Sequence, residues 1–395
     1  MTLWEDFSAD AAGRDVTGYF ERAPSLDQPS GFAFAFDRVE ELRPLTAGTD
    51  VAALERDTNR FLREPRSAVV GYAGFDAVRL FEPATGNAPG GSPFPLGELA
   101  WVRRGRFGPA RGPGRLRLRT GRVPAPIRDT LPPRAFGRSV RRLVESIRDG
   151  QAFQVVLAHR REWDRPDDLL TRADRLRSTE RFAYFYYLKF GDREIVGATP
   201  ESVAEVDGGR AYVNPIAGTL PTGRRPNRRL PLRQDPKELA EHRMLVDLAR
   251  NDLGRVSRPG SVRLVWEERR QRYARLEHLV SRVGGTLRSG VGPWETLAAT
   301  FPAGTVSGAP KIRATQLLRD QERTWRGPYG GAVALMRPHG RAEFALAIRT
   351  AFGAGRRLYT AAGAGIVHRS RPAREFDETL AKLAHVEAAL VGEAP

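Results

Sequence analysis

Cysteine is absent from the 395 residues. That excludes disulfides, thiolate metal sites and a cysteine nucleophile. Lysine is nearly absent: of 64 basic residues only four are lysine, at Lys189, Lys237, Lys311 and Lys382. No run approaches the ~18 consecutive apolar residues of a membrane span, and apolar stretches such as Phe182 to Leu188 are strand-sized. Blocks of like charge, zinc-finger spacings and aromatic interleaving are missing too. The net charge of +17 therefore lacks the usual footprint of a nucleic-acid-binding protein. Arginine spread along the whole chain in place of lysine reads as a coding bias. The converse is more useful: each surviving lysine marks a place that wants a compact ammonium rather than a planar guanidinium. Met1 to Asp10 carries acidic residues and no basic segment before an apolar core, so a cytoplasmic location is expected.

Apolar residues make up 41% of the chain, enough for a large core. Short apolar runs at Phe32 to Phe36 and Ala68 to Tyr72 predict strands, and residues 86 to 97 read as a loop. Leu116 and Leu118 alternate with arginines as in an edge strand. Pro132-Pro133 marks a boundary, which divides the chain into 1–134, a compact N-terminal region, and 135–395, a catalytic domain. Beyond it the spacing predicts helices over Phe136 to Asp149, Pro236 to Asp252, Trp294 to Ala299, Pro310 to Glu322 and Ala373 to Leu390. Strands are predicted at Phe153 to Ala158, Phe182 to Phe190, Glu194 to Gly197, Val280 to Leu287, Gly331 to Met336, Glu343 to Phe352 and Arg357 to Gly363. Helices and strands mix without strict alternation, which indicates an α+β fold.

Three constellations carry chemistry. In Pro236-Lys-Glu-Leu-Ala-Glu-His-Arg-Met-Leu-Val-Asp-Leu-Ala-Arg-Asn-Asp252, Glu238 and Glu241 lie near one helix face. The segment reads equally as a solvated helix. In Gly363-Ala-Gly-Ile-Val367, a glycine-rich turn exposes backbone N–H groups to an anion. It is followed by Glu375, Glu378 and Lys382 on one helix face, where carboxylates offer the hard oxygen ligands that Mg²⁺ requires. The rival reading is a surface Glu–Lys pair. Phe301-Pro-Ala-Gly-Thr-Val-Ser-Gly-Ala-Pro-Lys311 suits anion or hydroxyl recognition at a helix N-terminus, or is an ordinary loop and cap. It lacks the spacing of a P-loop. Shorter segments stand beside these: Ala198-Thr-Pro-Glu-Ser202, Pro215-Ile-Ala-Gly-Thr219, Glu277-His-Leu-Val-Ser281, Arg326-Gly-Pro-Tyr329 and Ala347-Ile-Arg-Thr350. Alone, His278 would be a packed histidine and Arg349 a surface arginine.

In this order, from roughly Gly150 to Lys382, the segments resemble the chorismate-utilising family: anthranilate synthase large subunits, aminodeoxychorismate, isochorismate and salicylate synthases. Val70-Gly-Tyr-Ala-Gly-Phe-Asp-Ala-Val-Arg79 extends the likeness loosely towards the N-terminus. The resemblance implies two packed antiparallel sheets flanked by helices, with the active site in the cleft. It implies a Mg²⁺ held by Glu241 and Glu378 with Glu375 close by, and a general acid at Glu201. Burial near an anionic substrate would raise the pKa of that acid. Thr305 would supply a hydroxyl contact. Tyr329, Arg349 and the backbone of Gly363, Ala364 and Gly365 would receive one carboxylate of chorismate, and Lys382 would lie close to the metal-bound one.

The nucleophile separates the members. Members that add water keep a lysine where this chain has Gln154, so Gln154 resembles those that use ammonia. Aminodeoxychorismate synthases usually carry a lysine in Pro-Ile-Lys-Gly-Thr, whereas here Ala217 precedes Gly218 and Thr219, as in anthranilate synthases. His278 resembles the histidine associated with pyruvate elimination. The implied product is anthranilate, formed through 2-amino-2-deoxyisochorismate. Release of that intermediate, or aminodeoxychorismate synthesis despite Ala217, are the alternatives within the family. A catalytically dead paralogue and a basic nucleic-acid-binding protein are the alternatives outside it. Leu220 and Thr222 depart from arginines common after this Gly-Thr. The nearest analogue of the segment linked to tryptophan feedback is Tyr19-Phe-Glu-Arg22, so weak or absent feedback is expected, as in a specialised-metabolite pathway. With no cysteine, ammonia is expected from a separate glutamine amidotransferase subunit or from solution. A homo-oligomer stays open.

Overall fold

The computed structural model describes residues 2–25, 29–87, 89–112, 122–221, 236–273 and 276–393, without the side chains of 217–221, 236–238, 272–273 and 276–277. Among the described residues, ten strands form each of two antiparallel sheets. The α+β expectation is met. One sheet runs through Gln154–Asp164, Arg357–Ile366, Thr350–Ala354, Arg193–Thr199, Tyr184–Phe190, Val16–Arg22, Phe32–Phe36 and Arg106–Pro109. The other runs through Ile216–Pro221, Leu276–Thr286, Arg210–Val213, Ser202–Asp207, Arg341–Leu346, Ala332–Arg337, Ala68–Ala73, Gly97–Val102 and Glu41–Leu45. Strands from before and after residue 134 stand side by side in both sheets, so the two segments share one framework. Leu116 and Leu118 lie outside the described residues.

Both faces of the central strands are buried. In Tyr184–Phe190, Tyr184, Tyr186, Leu188 and Phe190 point into the layer between the sheets, while Phe185 and Tyr187 join the outer cluster with Trp4, Phe7, Val386 and Leu390. Side chains alternate across a strand. A strand covered on both sides therefore needs apolar residues at every position, and the sequence shows an unbroken run. The helix Pro133–Arg148 buries Phe136, Val140, Leu143, Val144 and Ile147 at helical spacing. It packs with Pro372–Leu390 against the first sheet. The helices Pro236–Gly254 and Pro293–Thr300 cover the second sheet.

The expected single strand from Glu343 to Phe352 is broken. Arg341–Leu346 belongs to one sheet and Thr350–Ala354 to the other, with Arg349 in the left-handed region at φ 50°. The apolar pattern runs on because both halves are buried, so the change of sheet leaves no mark in hydropathy. The Gly363–Gly365 segment is likewise a strand and not a turn: Gly363, Ala364 and Gly365 stand opposite Ala158, Leu157 and Val156. The neighbour on its other edge reaches only to Thr360, so beyond that point one edge of the strand is open.

A buried ion pair joins these pieces. The Arg326 guanidinium meets Glu322 at 2.5 and 2.8 Å and donates to the carbonyls of Val156 and Val306 at 2.7 Å each. Glu322 also accepts the Ala158 N–H at 2.8 Å. The Asp76 carboxylate accepts the backbone N–H groups of Arg326 and Gly327 at 3.0 and 2.8 Å. Arg326→Met would leave a buried carboxylate without its cation and two carbonyls without that donor. A loss of about 3–5 kcal/mol is expected in urea denaturation, and a loss below about 1 kcal/mol would contradict the anchoring role.

Candidate active site

The site forms where adjacent strands leave one sheet for the other. Pro200-Glu201 connects Arg193–Thr199 of the first sheet to Ser202–Asp207 of the second. Beside it the chain crosses back through Ala347-Ile348-Arg349. The crossings are stitched together: Leu346 N–H donates to the Glu201 carbonyl at 2.9 Å and Ala198 N–H to the Arg349 carbonyl at 3.3 Å. Gly330 N–H donates to the Ala347 carbonyl at 2.8 Å, and Ala347 N–H to that of Gly331 at 2.9 Å. These bonds bring Tyr329 to the same seam. Strand crossings thus gather residues far apart in sequence without long loops.

Glu201 is 8% exposed and lines a narrow cleft, open to solvent, together with Asn214, Leu245, Leu248, Asp252 and Thr305. Its Oε1 accepts the Thr305 hydroxyl at 2.7 Å. Burial pushes its pKa up to about 7, against the lowering pull of Thr305, Lys382 and Arg349. This carboxyl can hold a proton near neutral pH and release it into a cationic surround, as a general acid must.

Lys382 Nζ donates to the Gly363 carbonyl at 2.9 Å and pairs with Glu378 at 2.8 Å. The Gly363 N–H meets the Tyr329 oxygen. Burial pushes Tyr329 up to about 12, so it remains a hydroxyl donor at neutral pH. Carbonyl and N–H of Gly363 both use the open strand edge, which Gly365, two residues on, shares. A side chain at Gly365 would sit 2.3 Å from Gln154 Nε2. Glycine there lets the Gln154 amide lie on the strand. The glycines thus serve close approach rather than a turn. Arg349 is steadied by Glu180, fully buried at 3.4 Å from its Nη1. The sequence offered no sign of Glu180, 169 residues away.

The chorismate binding enzyme family is matched over residues 113–388. Anthranilate synthase component 1 of Streptomyces coelicolor is 35% identical over 95% of this chain and 84% of that protein. The chain belongs to the chorismate-binding enzyme family. The component 1 proteins of Methanothermobacter thermautotrophicus and Aquifex aeolicus are 43% and 44% identical over 59% and 62% of this chain. The chain spans about half the length of each, 51%. Among solved structures, component I from Streptococcus pneumoniae superposes with a TM-score of 0.74 at 27% identity, covering 93% of this chain and 90% of that one. The menaquinone-specific isochorismate synthase from Escherichia coli shares the fold, with a TM-score of 0.76 at 16% identity over 99% and 91% of the two chains.

Not every site residue expected from the sequence meets at the seam. His278, 7% exposed, and Ala217 lie on neighbouring strands of the second sheet, with Ala217 opposite Leu279. The side chains of Ala217, Gly218, Thr219 and Leu220, and all of Thr222, lie outside the described residues. Glu241 is carried on the helix Pro236–Gly254, which packs on those strands. Glu375 and Glu378 are carried on Pro372–Leu390, over the other sheet. Among the described residues no three acidic or histidine side chains converge as a metal cluster. Glu375 is pushed above the usual carboxylate range by burial, and the negative charge of Glu378 adds to the rise against a hydrogen bond from Ser370. Glu375 and Glu378, one turn apart, offer hard oxygen donors of the kind magnesium takes alongside water and substrate oxygens, with Lys382 on Glu378 at 2.8 Å in this structure. The donor chemistry fits.

Glu201 should be protonated near neutrality in the folded protein. Infrared titration should show a carboxylic acid band with a midpoint near 7 that Glu201→Gln removes. A midpoint near the ordinary 4.5 would refute the assignment.

Proposed function

We propose that this chain aminates chorismate at C2 with ammonia, expels the C4 hydroxyl and eliminates pyruvate, yielding anthranilate through 2-amino-2-deoxyisochorismate. The observation that carries the reading is Glu201: a buried carboxyl, bonded to Thr305, with Arg349 and Lys382 as its cationic neighbours. A dianionic substrate needs those cations, and a departing hydroxyl needs that proton. Gln154 favours ammonia as nucleophile. An amide is no base, and ammonia needs none, whereas water would.

Glu201 donates its proton to the C4 oxygen as the C–O bond breaks. Arg349, Tyr329 and the open edge at Gly363–Gly365 hold the enolpyruvyl carboxylate. Lys382 stands near the ring carboxylate. Glu241 and Glu378, with Glu375, would hold magnesium, which when bound neutralises that carboxylate. His278 takes the C2 proton in the elimination. Because the chain has no cysteine, it cannot hydrolyse glutamine by a thiolate, and a separate amidotransferase subunit supplies the ammonia. Tryptophan feedback is weak or absent. The buried Glu21 is occupied by Arg177 at 2.8 Å and Tyr19 at 2.9 Å, so the segment spends its polar groups internally. The cytoplasmic setting and a role in aromatic amino-acid or specialised metabolism belong to the same reading.

The decisive assay is chorismate, magnesium and ammonium with product identification by mass. Anthranilate is expected, and accumulation of 2-amino-2-deoxyisochorismate alone would remove the elimination step. Glutamine in place of ammonium should give no turnover by the isolated chain. Glu241→Gln and Glu378→Gln should each lower magnesium-dependent turnover by at least ~10²-fold, the upper end of the loss seen when only a ligand's supporting partner is removed; near-normal rates in both would dismiss the metal site. Tryptophan at micromolar concentration should leave the rate unchanged, and inhibition there would overturn the feedback reading.

A further inference from the structure

Lys311 is one of four lysines in an arginine-rich chain, and the reaction does not use it. Its side chain is 12% exposed and its ammonium lies 2.9 Å from Asp252, itself 9% exposed. The same ammonium donates to the carbonyl of Thr300 at 3.0 Å. Thr300 ends the helix Pro293–Thr300 and Lys311 begins the helix Lys311–Glu322. One ammonium therefore closes the loop 301–310 from end to end and fastens both ends to the helix Pro236–Gly254.

The loop carries Thr305, whose hydroxyl bonds to Glu201. It also lies against the fastened helix at Gly304, where a side chain would come 2.3 Å from Leu248 Cδ2. Leu245, Leu248, Ala249 and Asp252 line the same cleft as Glu201 and Thr305. Asp252 follows Glu241 by eleven residues, three turns at 3.6 residues per turn, on one helix face. An ammonium reaches both acceptors from a single compact atom, whereas a guanidinium would need them spread over its planar fork.

We infer that the Lys311–Asp252 pair is a positioning clasp that holds Thr305 against Glu201. The inference rests on the reading of Glu201 as the proton donor. Burial disfavours charge on both partners, raising Asp252 and lowering Lys311, and each offsets this for the other. The pair is thus stable only while its geometry is kept. The charged groups acting on Glu201 are Lys382 and Arg349, and Asp252 lines its cavity from the helix opposite.

The sign of the effect follows from the hydrogen bond. Thr305 donates to Glu201 and stabilises its ionised form, so losing that donor raises the pKa. A general acid is active when protonated, so activity falls as pH rises through that pKa. When the clasp opens, this alkaline limb moves to higher pH while kcat falls. At constant free ammonia, Thr305→Val should move the limb up by about one pH unit. Lys311→Met should reproduce that direction, with kcat reduced at least ~10-fold and KM for chorismate changed less than about threefold. If Lys311→Met fails to fold, the charge-neutral pair Lys311→Met/Asp252→Asn takes its place, since it leaves no buried unpaired charge. Lys311→Arg should not restore the wild-type limb. A clasp variant that melts at lower temperature yet keeps the wild-type pH limb and kcat would overturn the proposal. Near-normal turnover by Glu201→Gln would instead overturn the reading of Glu201, a separate result.

Discussion

The Arg326 guanidinium is the contact on which the site's geometry depends. Its Nε and Nη2 serve Glu322, Nη2 also reaches Val156 on the strand that begins at Gln154, and Nη1 reaches Val306 on the loop that holds Thr305. The Thr305 loop and the strand that carries Gln154 are thus referred to one planar cation. A guanidinium in a dry interior is tolerated only when its donors find acceptors, and that requirement makes the arrangement rigid. Asp76 extends the constraint to the N-terminal region through the backbone of Arg326 and Gly327. The first hundred residues are therefore structurally continuous with the cleft.

Around that anchor, two sheets exchange strands at a seam. A strand that changes sheet must leave its ladder for a few residues. Those residues are the ones free to point inward, and here they are Glu201 and Arg349. Arg349 adopts a left-handed backbone, a conformation that costs an ordinary residue of order 1 kcal/mol. The cost is borne at a position where the side chain meets the buried Glu180 carboxylate and acts on Glu201. Burial then does the electrostatic work: Glu201 is raised because water is excluded, and nearby cations limit the rise. A carboxyl able to hold a proton and a pair of nearby cations arise from the same enclosure.

Much of this was readable in the chain beforehand. Helices such as Pro133–Arg148 and Pro372–Leu390 announce themselves by spacing, and the hairpin from Tyr184–Phe190 to Arg193–Thr199 by its apolar runs and the Gly191-Asp192 turn between them. The Thr-Pro-Glu, Ala-Ile-Arg-Thr and Gly-Ala-Gly segments stand out in the sequence as motifs, and the structure brings them near one another at the seam. The break within Glu343 to Phe352 was not legible, because burial on both sides of the break leaves hydropathy unchanged. The Gly363–Gly365 run reads as a turn on composition, but its small residues admit neighbouring side chains to a strand.

By itself the sequence determined the α+β class, the exclusion of thiol chemistry, the family likeness and the residue types available for an acid, cations and oxygen ligands. These are properties of composition, local spacing and motif order, which a linear chain displays directly. Only the tertiary structure decided which of those residues meet, that Glu180 steadies Arg349, that Lys311 closes the Thr305 loop onto Asp252, and that Glu201 holds a proton near pH 7. Each depends on distance and on exclusion of water between segments remote in sequence, and neither quantity exists until the sheets have packed.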